Sequence, residues 1–336
     1  MLEYINIHGT TLNSSRIALG TWAIGGWMWG GTDEAESVRT IHAALDQGIN
    51  LIDTAPIYGY GRSEEIVGKA VRQYGQRNKV LLATKVGIDW TTGRIERNST
   101  RPRILQEFED SLRRLQTDYI DIYQVHWPDP LVPIEETAAT LRELYEQEKI
   151  CAIGVSNHSP EQMVRFETVA PLHTIQPPYN LFEREIERDV LPYALNHHIT
   201  TLTYGALCRG LLSGAMSADR QFSKDDMRKT SDPKFQAPHF AGYLAAANRL
   251  DAYAREKFGK RVIHLAVRWL LDQPGVGIAL WGARHPEQLA PINEVAGWSL
   301  TQSDFAAIDA ILREAIVSPV GPEFMAPPVR QLQAVA

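Results

Sequence analysis

Four ionisable side chains stand where they could carry out proton-transfer chemistry. Asp53 ends the apolar run "NLID", Lys85 ends "VLLATK", His126 ends "IDIYQVH", and Tyr58 follows Asp53 in the next turn. A lysine is almost never buried unless it is paired, so Asp53 is the expected partner of Lys85. Because a nearby cation favours the phenolate, we expect Lys85 to lower the pKa of Tyr58 and allow proton exchange near neutral pH.

The residue type at position 126 suggests what would receive that proton. An imidazole beside Trp127 could hydrogen-bond a substrate oxygen and polarise a carbonyl group. Reduction of a carbonyl also needs a hydride, which side chains cannot supply, so a nicotinamide cofactor is implied. Each residue alone has a structural alternative: a buried ion pair for Asp53 and Lys85, a loop aromatic for Tyr58, a core histidine for His126. Their joint occurrence at successive strand ends favours the catalytic interpretation.

Apolar runs of strand length alternate along the chain with segments whose apolar residues recur at helical spacing. The predicted strands are "RIALGTW", "NLIDTA", "KVLLATK", "YIDIYQVH", "AIGVSN", "TIQPPYN", "TTLTYG" and "VGIALWGA". The predicted helices are Glu34 to Gln47, Ser63 to Gln73, Arg103 to Leu115, Ile134 to Glu148, Glu161 to Glu167, Glu185 to Asn196, Arg261 to Leu271 and Glu287 to Asn293. About eight such units are what a (β/α)8 TIM barrel needs, although a doubly wound open sheet alternates in the same way.

Polar residues at the strand ends favour the barrel, where the carboxyl ends of all strands meet on one face. They are Asp53, Lys85, His126, Ser156 with Asn157, Gln176, Tyr204 and Arg284. No strand is followed by the glycine fingerprint of a dinucleotide fold. We expect one domain over residues 1–336, with an N-terminal hairpin turning at Gly9 and an extra C-terminal helix from Ser303 to Ala315. The polar stretch 216–239 is a candidate mobile loop over the site.

Composition excludes several classes of function. The chain has 336 residues, 44% hydrophobic and 22% charged, with a net charge of -6, which is ordinary for a globular protein and offers no footprint for nucleic acid. The sequence contains neither a signal peptide nor an apolar run that could span a membrane, so we expect a cytoplasmic protein. Cys151 and Cys208 are expected to be reduced thiols. No spacing of His, Cys or carboxylates predicts a metal site.

Motifs along nearly the whole chain resemble the aldo-keto reductase superfamily. They are "NLIDTAPIYGYGRSEEIVGKA", "TK", "VHWPD", "GVSNHS", "YGALCRGLLSG" and "WGAR". The stretches "WGARHPEQL" and "SPVGPEFMAPP" are similar to a bacterial branch with inositol-operon, general-stress and glycerol-dehydrogenase-type reductases. The resemblance implies hydride transfer between NADP(H) and the carbonyl carbon of aldehydes, ketones or keto sugars, or the reverse oxidation of polyols or alcohols. Its catalytic tetrad maps onto Asp53, Tyr58, Lys85 and His126.

The same resemblance implies a set of cofactor contacts. Nicotinamide would be held by Ser156, Asn157 and Gln176 and stacked on Tyr204. The pyrophosphate and ribose would be held by the loop 205–212, through Gly205, Leu207, Arg209, Gly210 and Leu212. Gly282 and Arg284 would meet the adenosine 2'-phosphate, with Gln288 and Asn293 at the adenine end. A guanidinium at Arg284 suits the oxygens of a 2'-phosphate, which favours NADP over NAD. The sequence departs from the family pattern at "QLAPINEV", where Asn293 is shifted and Pro291 precedes it.

A cluster of tryptophans predicts an aromatic substrate pocket: Trp22, Trp27, Trp29, Trp90 and Trp127. The partner is therefore expected to be a small carbonyl compound or polyol, bound by a protein that is monomeric. Two alternatives stay open. One is an NADPH-binding, redox-sensing partner module with little turnover, since the family includes a potassium-channel subunit. The other is a metal-dependent barrel hydrolase or aldolase, for which the sequence offers no ligands.

Overall fold

Eight parallel strands close into a barrel in the part of the chain, residues 2–331, that this computed structural model describes. They are Ile17–Gly20 (β1), Leu51–Asp53 (β2), Leu81–Val86 (β3), Ile120–Val125 (β4), Ile150–Ser156 (β5), Thr174–Gln176 (β6), Thr200–Thr203 (β7) and Ile278–Gly282 (β8). Each strand pairs with the next along the chain, and β8 pairs with β1. The predicted TIM barrel is confirmed, since an open doubly wound sheet would leave two edges unpaired.

The predicted helix Glu185 to Asn196 begins as a separate 3-10 turn, Glu185–Glu187, and a short helix lies in the segment 216–239, which was predicted as a loop. With two further differences, α-helices surround the barrel at the positions that helical spacing predicts. They are Glu34–Asp46 (α1), Arg62–Tyr74 (α2), Arg101–Leu115 (α3), Ile134–Glu146 (α4), Pro160–Glu167 (α5), Val190–Asn196 (α6), Met227–Thr230 (α7), His239–Phe258 (α8), Val262–Leu271 (α9) and Gln302–Ala315 (α10). The segment after β8 is a 3-10 helix, Pro286–Glu294, containing Pro291, which lacks the amide hydrogen that an α-helix needs. Sequence analysis missed α8, whose buried face is largely alanine.

The barrel interior explains how apolar strands come to end in polar groups. Side chains alternate between the two faces of a strand, and Leu51, Ala83 and Ile122 form part of one buried interior cluster. Two residues further along β2 and β3, the same inward direction is taken by Asp53 and Lys85. The layer above the apolar interior is therefore polar.

An N-terminal hairpin closes the other end of the barrel, as predicted. Tyr4–Asn6 pairs antiparallel with Asn13–Ser15. Between the two strands, Ile7 and Leu12 are buried and pack in the interior cluster. The extra C-terminal helix is also confirmed, as α10.

Three segments cover the carboxyl ends of the strands. One is 216–239, which contains α7; its predicted mobility stays a prediction. The second is a short hairpin, Ile88–Asp89 paired with Glu96–Arg97. The C-terminal tail connects them, because Gly321 O accepts from Lys234 Nζ at 3.0 Å and Pro328 O accepts from the Arg97 amide at 3.0 Å. Among residues 2–331, no helix is long and apolar enough to cross a membrane.

Candidate active site

A buried ion pair lies at the centre of the barrel mouth. Lys85 Nζ lies 2.6 Å from Asp53 Oδ2 and donates to Thr54 O at 2.9 Å. Asp53 is 2% exposed and Lys85 is 0% exposed. The predicted pairing is confirmed, and the hydrogen bonds compensate for burying both charges.

Two glutamine side chains also donate hydrogen bonds to Asp53. Its Oδ1 accepts from Gln176 Nε2 at 2.7 Å and from Gln124 Nε2 at 3.4 Å. A Cβ at the neighbouring Gly154 would come within 2.7 Å of the Gln124 side chain, so this layer has room only for glycine there. Sequence analysis missed Gln124, although its position two residues beyond Ile122 on β4 was a usable signal.

The side chain of Tyr58 lies between the ion pair and the histidine. Lys85 Nζ is 5.1 Å from the centre of the Tyr58 ring. The His126 ring meets Tyr58 edge to face at 5.8 Å. The structure thus brings the four predicted catalytic residues together, on the loop or strand ends of β2, β3 and β4.

The backbone around Tyr58 depends on glycine. A Cβ on Gly25 would lie 2.6 Å from the Tyr58 carbonyl carbon, and a Cβ on Gly59 would lie 2.2 Å from Gly25 O. Gly59, Tyr60 and Gly61 all have positive φ, so the chain turns sharply here before α2 begins. The loop after β1 can therefore pack directly against the backbone that carries the phenol.

Burial is the main cause of the pKa shifts of Tyr58, Lys85 and His126. It raises the pKa of Tyr58 well above its usual value, helped by the charge of Asp53 and by Tyr204. The prediction of a lowered pKa is therefore wrong: the ring is desolvated, and Asp53 balances the charge of Lys85. Burial also lowers the pKa of Lys85, although Asp53 opposes this. For His126, burial and then Lys85 lower the pKa well below its usual value, so the imidazole is neutral.

A hydrogen-bonded arc of predicted nicotinamide contacts extends from this centre. Asn157 Nδ2 donates to His126 O and to Ser156 Oγ, both at 3.0 Å. Ser156 Oγ donates to Gln176 O at 2.7 Å, and the Tyr204 hydroxyl donates to Asn157 Oδ1 at 2.9 Å. The four predicted residues thus lie side by side at the ends of β5, β6 and β7.

The loop after β7 contains the predicted phosphate contacts Gly205, Leu207, Arg209, Gly210 and Leu212. Cys208, Arg209 and Gly210 have φ of 44°, 51° and 98°, which makes a tight turn of left-handed residues. The Arg209 guanidinium is buried against Glu183, at 2.6 Å, and Asp232, at 2.6 Å. Two buried carboxylates thus hold the Arg209 side chain, and its contact with the cofactor stays a prediction.

The predicted adenosine end lies after β8. Arg284 donates to Trp29 O at 2.7 Å and to Gly31 O at 2.5 Å, and its amide donates to Gln288 Oε1 at 2.7 Å. Gly282 and Asn293 are exposed on the same segment. Arg284 therefore joins the loop after β1 to the turn after β8.

Sequence analysis missed a second arginine at this end. The Arg228 guanidinium lies 5.1 Å from the Trp29 ring and 2.7 Å from Asp226. Burial and the nearby charge of Arg228 lower the pKa of Arg284. The signal was weak, since Arg228 lies in the polar segment 216–239, far from any strand end.

Four of the five tryptophans predicted to line a substrate pocket pack around Tyr58, and the pocket itself stays a prediction. Trp27, Trp90 and Trp127 pack with Tyr58 in one cluster. Trp22 stacks on Tyr58 at 5.9 Å. Trp29 meets Trp22 edge to face at 5.6 Å. The other neighbour of the Trp29 ring is the Arg228 guanidinium, so Trp29 lies one residue further from Tyr58 than the other four.

Within residues 2–331, no group of three or more His, Cys, Asp or Glu side chains is arranged to hold a metal ion. The ionisable groups gathered around Asp53 are a phenol, an imidazole and a buried ammonium.

Comparison with known proteins agrees with this geometry. Residues 16–313 match the profile of the aldo/keto reductase family. Aldo-keto reductase YhdN of Bacillus subtilis is 63% identical, covering 98% of this chain and 99% of that protein. The NADH-specific methylglyoxal reductase of Escherichia coli is 34% identical, covering 93% and 98%.

Three solved structures share the fold. The glycerol dehydrogenase AKR11B4 from Gluconobacter oxydans has a TM-score of 0.86 at 55% identity, covering 96% of this chain and 99% of its own. The holo form of AKR11C1 from Bacillus halodurans has a TM-score of 0.76 at 26% identity, covering 94% and 98%. An aldo/keto reductase from Klebsiella pneumoniae, in complex with NADP and acetate, has a TM-score of 0.68 at 29% identity, covering 89% and 92%.

Proposed function

Because this chain belongs to the aldo/keto reductase family and is an oxidoreductase for carbonyl compounds or polyols, we propose that it is NADP(H)-dependent. In this proposal it reduces aldehydes, ketones or keto sugars, or oxidises the corresponding alcohols. The observation that most supports this reaction is the position of the Tyr58 ring between the Lys85 ammonium and the His126 imidazole. A steady-state panel of aldehydes, ketones and polyols, with both nicotinamide cofactors, tests it. Binding without turnover across that panel would instead favour a redox-sensing module.

Each catalytic side chain has a separate role in this proposal. Tyr58 is protonated at neutral pH and gives its proton to the carbonyl oxygen as the C=O π electrons move onto it. The Lys85 ammonium stabilises the tyrosinate that remains, which regains a proton from solvent. Neutral His126 donates a hydrogen bond that orients the same oxygen. Asp53 holds Lys85 in place and charged.

The residues present fit a nicotinamide dinucleotide. When bound, the reduced nicotinamide supplies the hydride that no side chain can. Its amide would be held by Ser156, Asn157 and Gln176, beside the ring of Tyr204. Hydrogen bonds from the Cys208 and Gly210 amides to Gly205 O and Leu207 O, at 2.7 and 2.9 Å, close the left-handed turn at Cys208 to Gly210. The phosphates would lie against this turn.

The choice of NADP over NAD rests on charge at the adenosine end. Arg284 and Arg228 place two guanidinium groups against the single carboxylate of Asp226. A surplus of fork-shaped donors suits a 2'-phosphate. The names of two relatives point in different directions, one to NADP and one to NADH, so the preference needs a direct measurement.

Replacing Arg284 with alanine should weaken NADPH binding much more than NADH binding. Loss of charge-assisted hydrogen bonds to a phosphate predicts a Kd for NADPH about 10- to 100-fold higher. NADH serves as the internal control, because it shares every contact except the 2'-phosphate. Equal weakening of both cofactors would show that Arg284 only supports the loop after β1.

Reduction and oxidation should depend on pH in opposite ways. Reduction uses protonated Tyr58, whose raised pKa keeps kcat level through neutral pH and lets it fall only at strongly alkaline pH. Oxidation uses the tyrosinate, so its kcat should rise steadily from about pH 6 to about pH 10. We expect this from saturating assays in both directions; an oxidation rate that is flat over the range would contradict the role of Tyr58.

The remaining properties follow as part of the same proposal. The chain acts as a single barrel domain over residues 1–336, in the cytoplasm, as a monomer. Its partner is a small carbonyl compound or polyol that fits beside the tryptophans packed around Tyr58. Size-exclusion chromatography with light scattering checks the oligomeric state.

A further inference from the structure

The hairpin after β3 carries one wall of the proposed substrate pocket. Ile88–Asp89 pairs with Glu96–Arg97, and Trp90 follows Asp89 directly. The Trp90 ring lies 6.1 Å from Tyr60 and packs in the cluster that contains Tyr58. This hairpin starts at Ile88, after β3 has ended at Val86, so it lies beside the catalytic centre without being part of it.

Two residues of α3 hold this hairpin. The Glu107 carboxylate oxygen Oε2 accepts from the Gly87 amide at 3.1 Å and from Arg103 Nε at 3.3 Å. Arg103 Nη1 lies 3.4 Å from Asp89 Oδ1, and its guanidinium lies 5.6 Å from the Trp90 ring. One buried carboxylate therefore anchors the start of the hairpin directly and its tip through an arginine.

We propose that Glu107, acting through Arg103, is a positioning residue that sets the Trp90 wall and thereby the affinity for the carbonyl substrate. This inference rests on the proposed function. Glu107 itself does not touch the substrate. Its effect falls on KM, since the ion pair of Asp53 with Lys85 and the Tyr58 ring are held by other contacts. In this arrangement the hairpin is held in place through the negative charge of the Glu107 carboxylate.

The surroundings make that charge sensitive to pH. Burial raises the pKa of Glu107 to about 7, with Arg103 and the Gly87 amide opposing and Glu64 adding to the rise. Tyr123 on β4 is also close, and its hydroxyl is buried without a hydrogen-bond partner.

The other charges around Glu107 are already paired. Glu64 on α2 accepts from Arg114 at 2.6 Å and from Thr84 at 2.6 Å. Asp89, across the hairpin, accepts from the Thr91 amide at 2.9 Å, and this bond and others lower its pKa. The raised pKa of Glu107 lets its carboxyl group gain or lose a proton near neutral pH.

The sign of the effect follows from the raised pKa. Above about pH 7 Glu107 is ionised and pairs with Arg103. As the pH falls through that value the carboxyl becomes neutral and the ion pair is lost, which frees the tip of the hairpin. The pKa of Tyr58 is shifted upward and that of His126 downward, so neither should titrate in this window.

The experiment compares KM and kcat at about pH 6 and about pH 8 in four proteins. Wild type should show KM about three- to tenfold higher at the lower pH, with kcat for reduction nearly unchanged. Glu107→Gln should have the high KM at both pH values, and Glu107→Asp should partly restore the dependence. Glu109→Gln is the matched control, because Glu109 is exposed on the other face of α3, and it should behave as wild type.

Two further measurements test the inference if Glu107→Gln does not fold or if the protein does not turn over the substrates tried. Arg103→Gln breaks the same link from the other side and should also give a high, pH-independent KM, which settles the matter if Glu107→Gln does not fold. Tryptophan fluorescence of wild type should change between the two pH values and that of Glu107→Gln should not. This second readout needs no turnover, so it distinguishes a failure here from a failure of the proposed function. A KM in wild type that does not change with pH, or a pH dependence that persists in Glu107→Gln, would overturn the inference.

Discussion

Tyr58→Phe is expected to lose turnover while keeping its cofactor. Removing a general acid costs about 10²- to 10⁴-fold in rate, and here no neighbour can replace it. Lys85 is bound to Asp53, and His126 is neutral because of burial and the nearby Lys85. We expect kcat for carbonyl reduction to fall by this factor, with the Kd for NADPH changed less than about threefold.

The matched control for this variant is Tyr60→Phe. Tyr60 is the next tyrosine in the same turn, but it is 48% exposed and packs against Trp27 and Trp90 instead of the ion pair. Its loss of a hydroxyl should leave kcat near that of wild type. Full activity in Tyr58→Phe, or equal losses in both variants, would show that the proton comes from another group.

Glu183→Gln is expected to give the largest loss of stability. Glu183 lies in a fully buried group of charges, 2.6 Å from Arg209 and 2.8 Å from Lys234, while Arg209 also pairs with Asp232 at 2.6 Å. Burial acts to raise the pKa of Glu183, but the two cations outweigh it and lower the pKa to about 2. Neutralising this carboxylate leaves two buried cations with one anion, which costs about 3–5 kcal/mol in the free energy of unfolding.

Because of where this charged group lies, we expect Glu183→Gln to weaken cofactor binding as well as the stability of the whole fold. Arg209 is in the loop after β7, Glu183 in the loop after β6, and Asp232 and Lys234 in the segment 216–239. These ion pairs therefore attach that segment to the barrel beside the proposed phosphate contacts. The same variant should bind NADPH more weakly at temperatures where it is still folded.

An exposed ion pair provides the control for Glu183→Gln. Glu135 accepts two hydrogen bonds from Arg165, both at 2.8 Å, but both side chains are exposed. Solvent screens such a pair, so Glu135→Gln should lower the free energy of unfolding far less than Glu183→Gln does. Urea unfolding of the three proteins checks the comparison; similar losses in both variants would mean that burial does not determine the strength of these pairs.

Much of the fold could be read from periodicity alone. Strand-length apolar runs and helical spacing predicted the eight barrel strands, and helix α8 was missed because its buried face uses alanine, which leaves a faint pattern. The post-β8 helix was predicted as regular, but Pro291 limits it to a 3-10 helix. These signals are local, since they depend on residues within two turns of each other.

The amino-acid sequence by itself determined which side chains could meet at the barrel mouth. Strands alternate their side chains, and the carboxyl ends of a barrel converge, so Asp53, Lys85 and His126 had to lie near one another once the barrel closed. Tyr58 joins them because glycines on either side allow the turn that brings its ring back. The residue types and their order therefore led to the proposed chemistry before the structure was considered.

Only the tertiary structure decided the state and the partners of those groups. The pKa of Tyr58 is raised, not lowered, because burial and Asp53 outweigh the cation beside it. The Arg209 guanidinium pairs with two buried carboxylates, Glu183 and Asp232, which lie more than 20 residues away along the chain on either side. Desolvation and ion pairing depend on what surrounds a group in three dimensions, and residues far apart in the chain supply those surroundings.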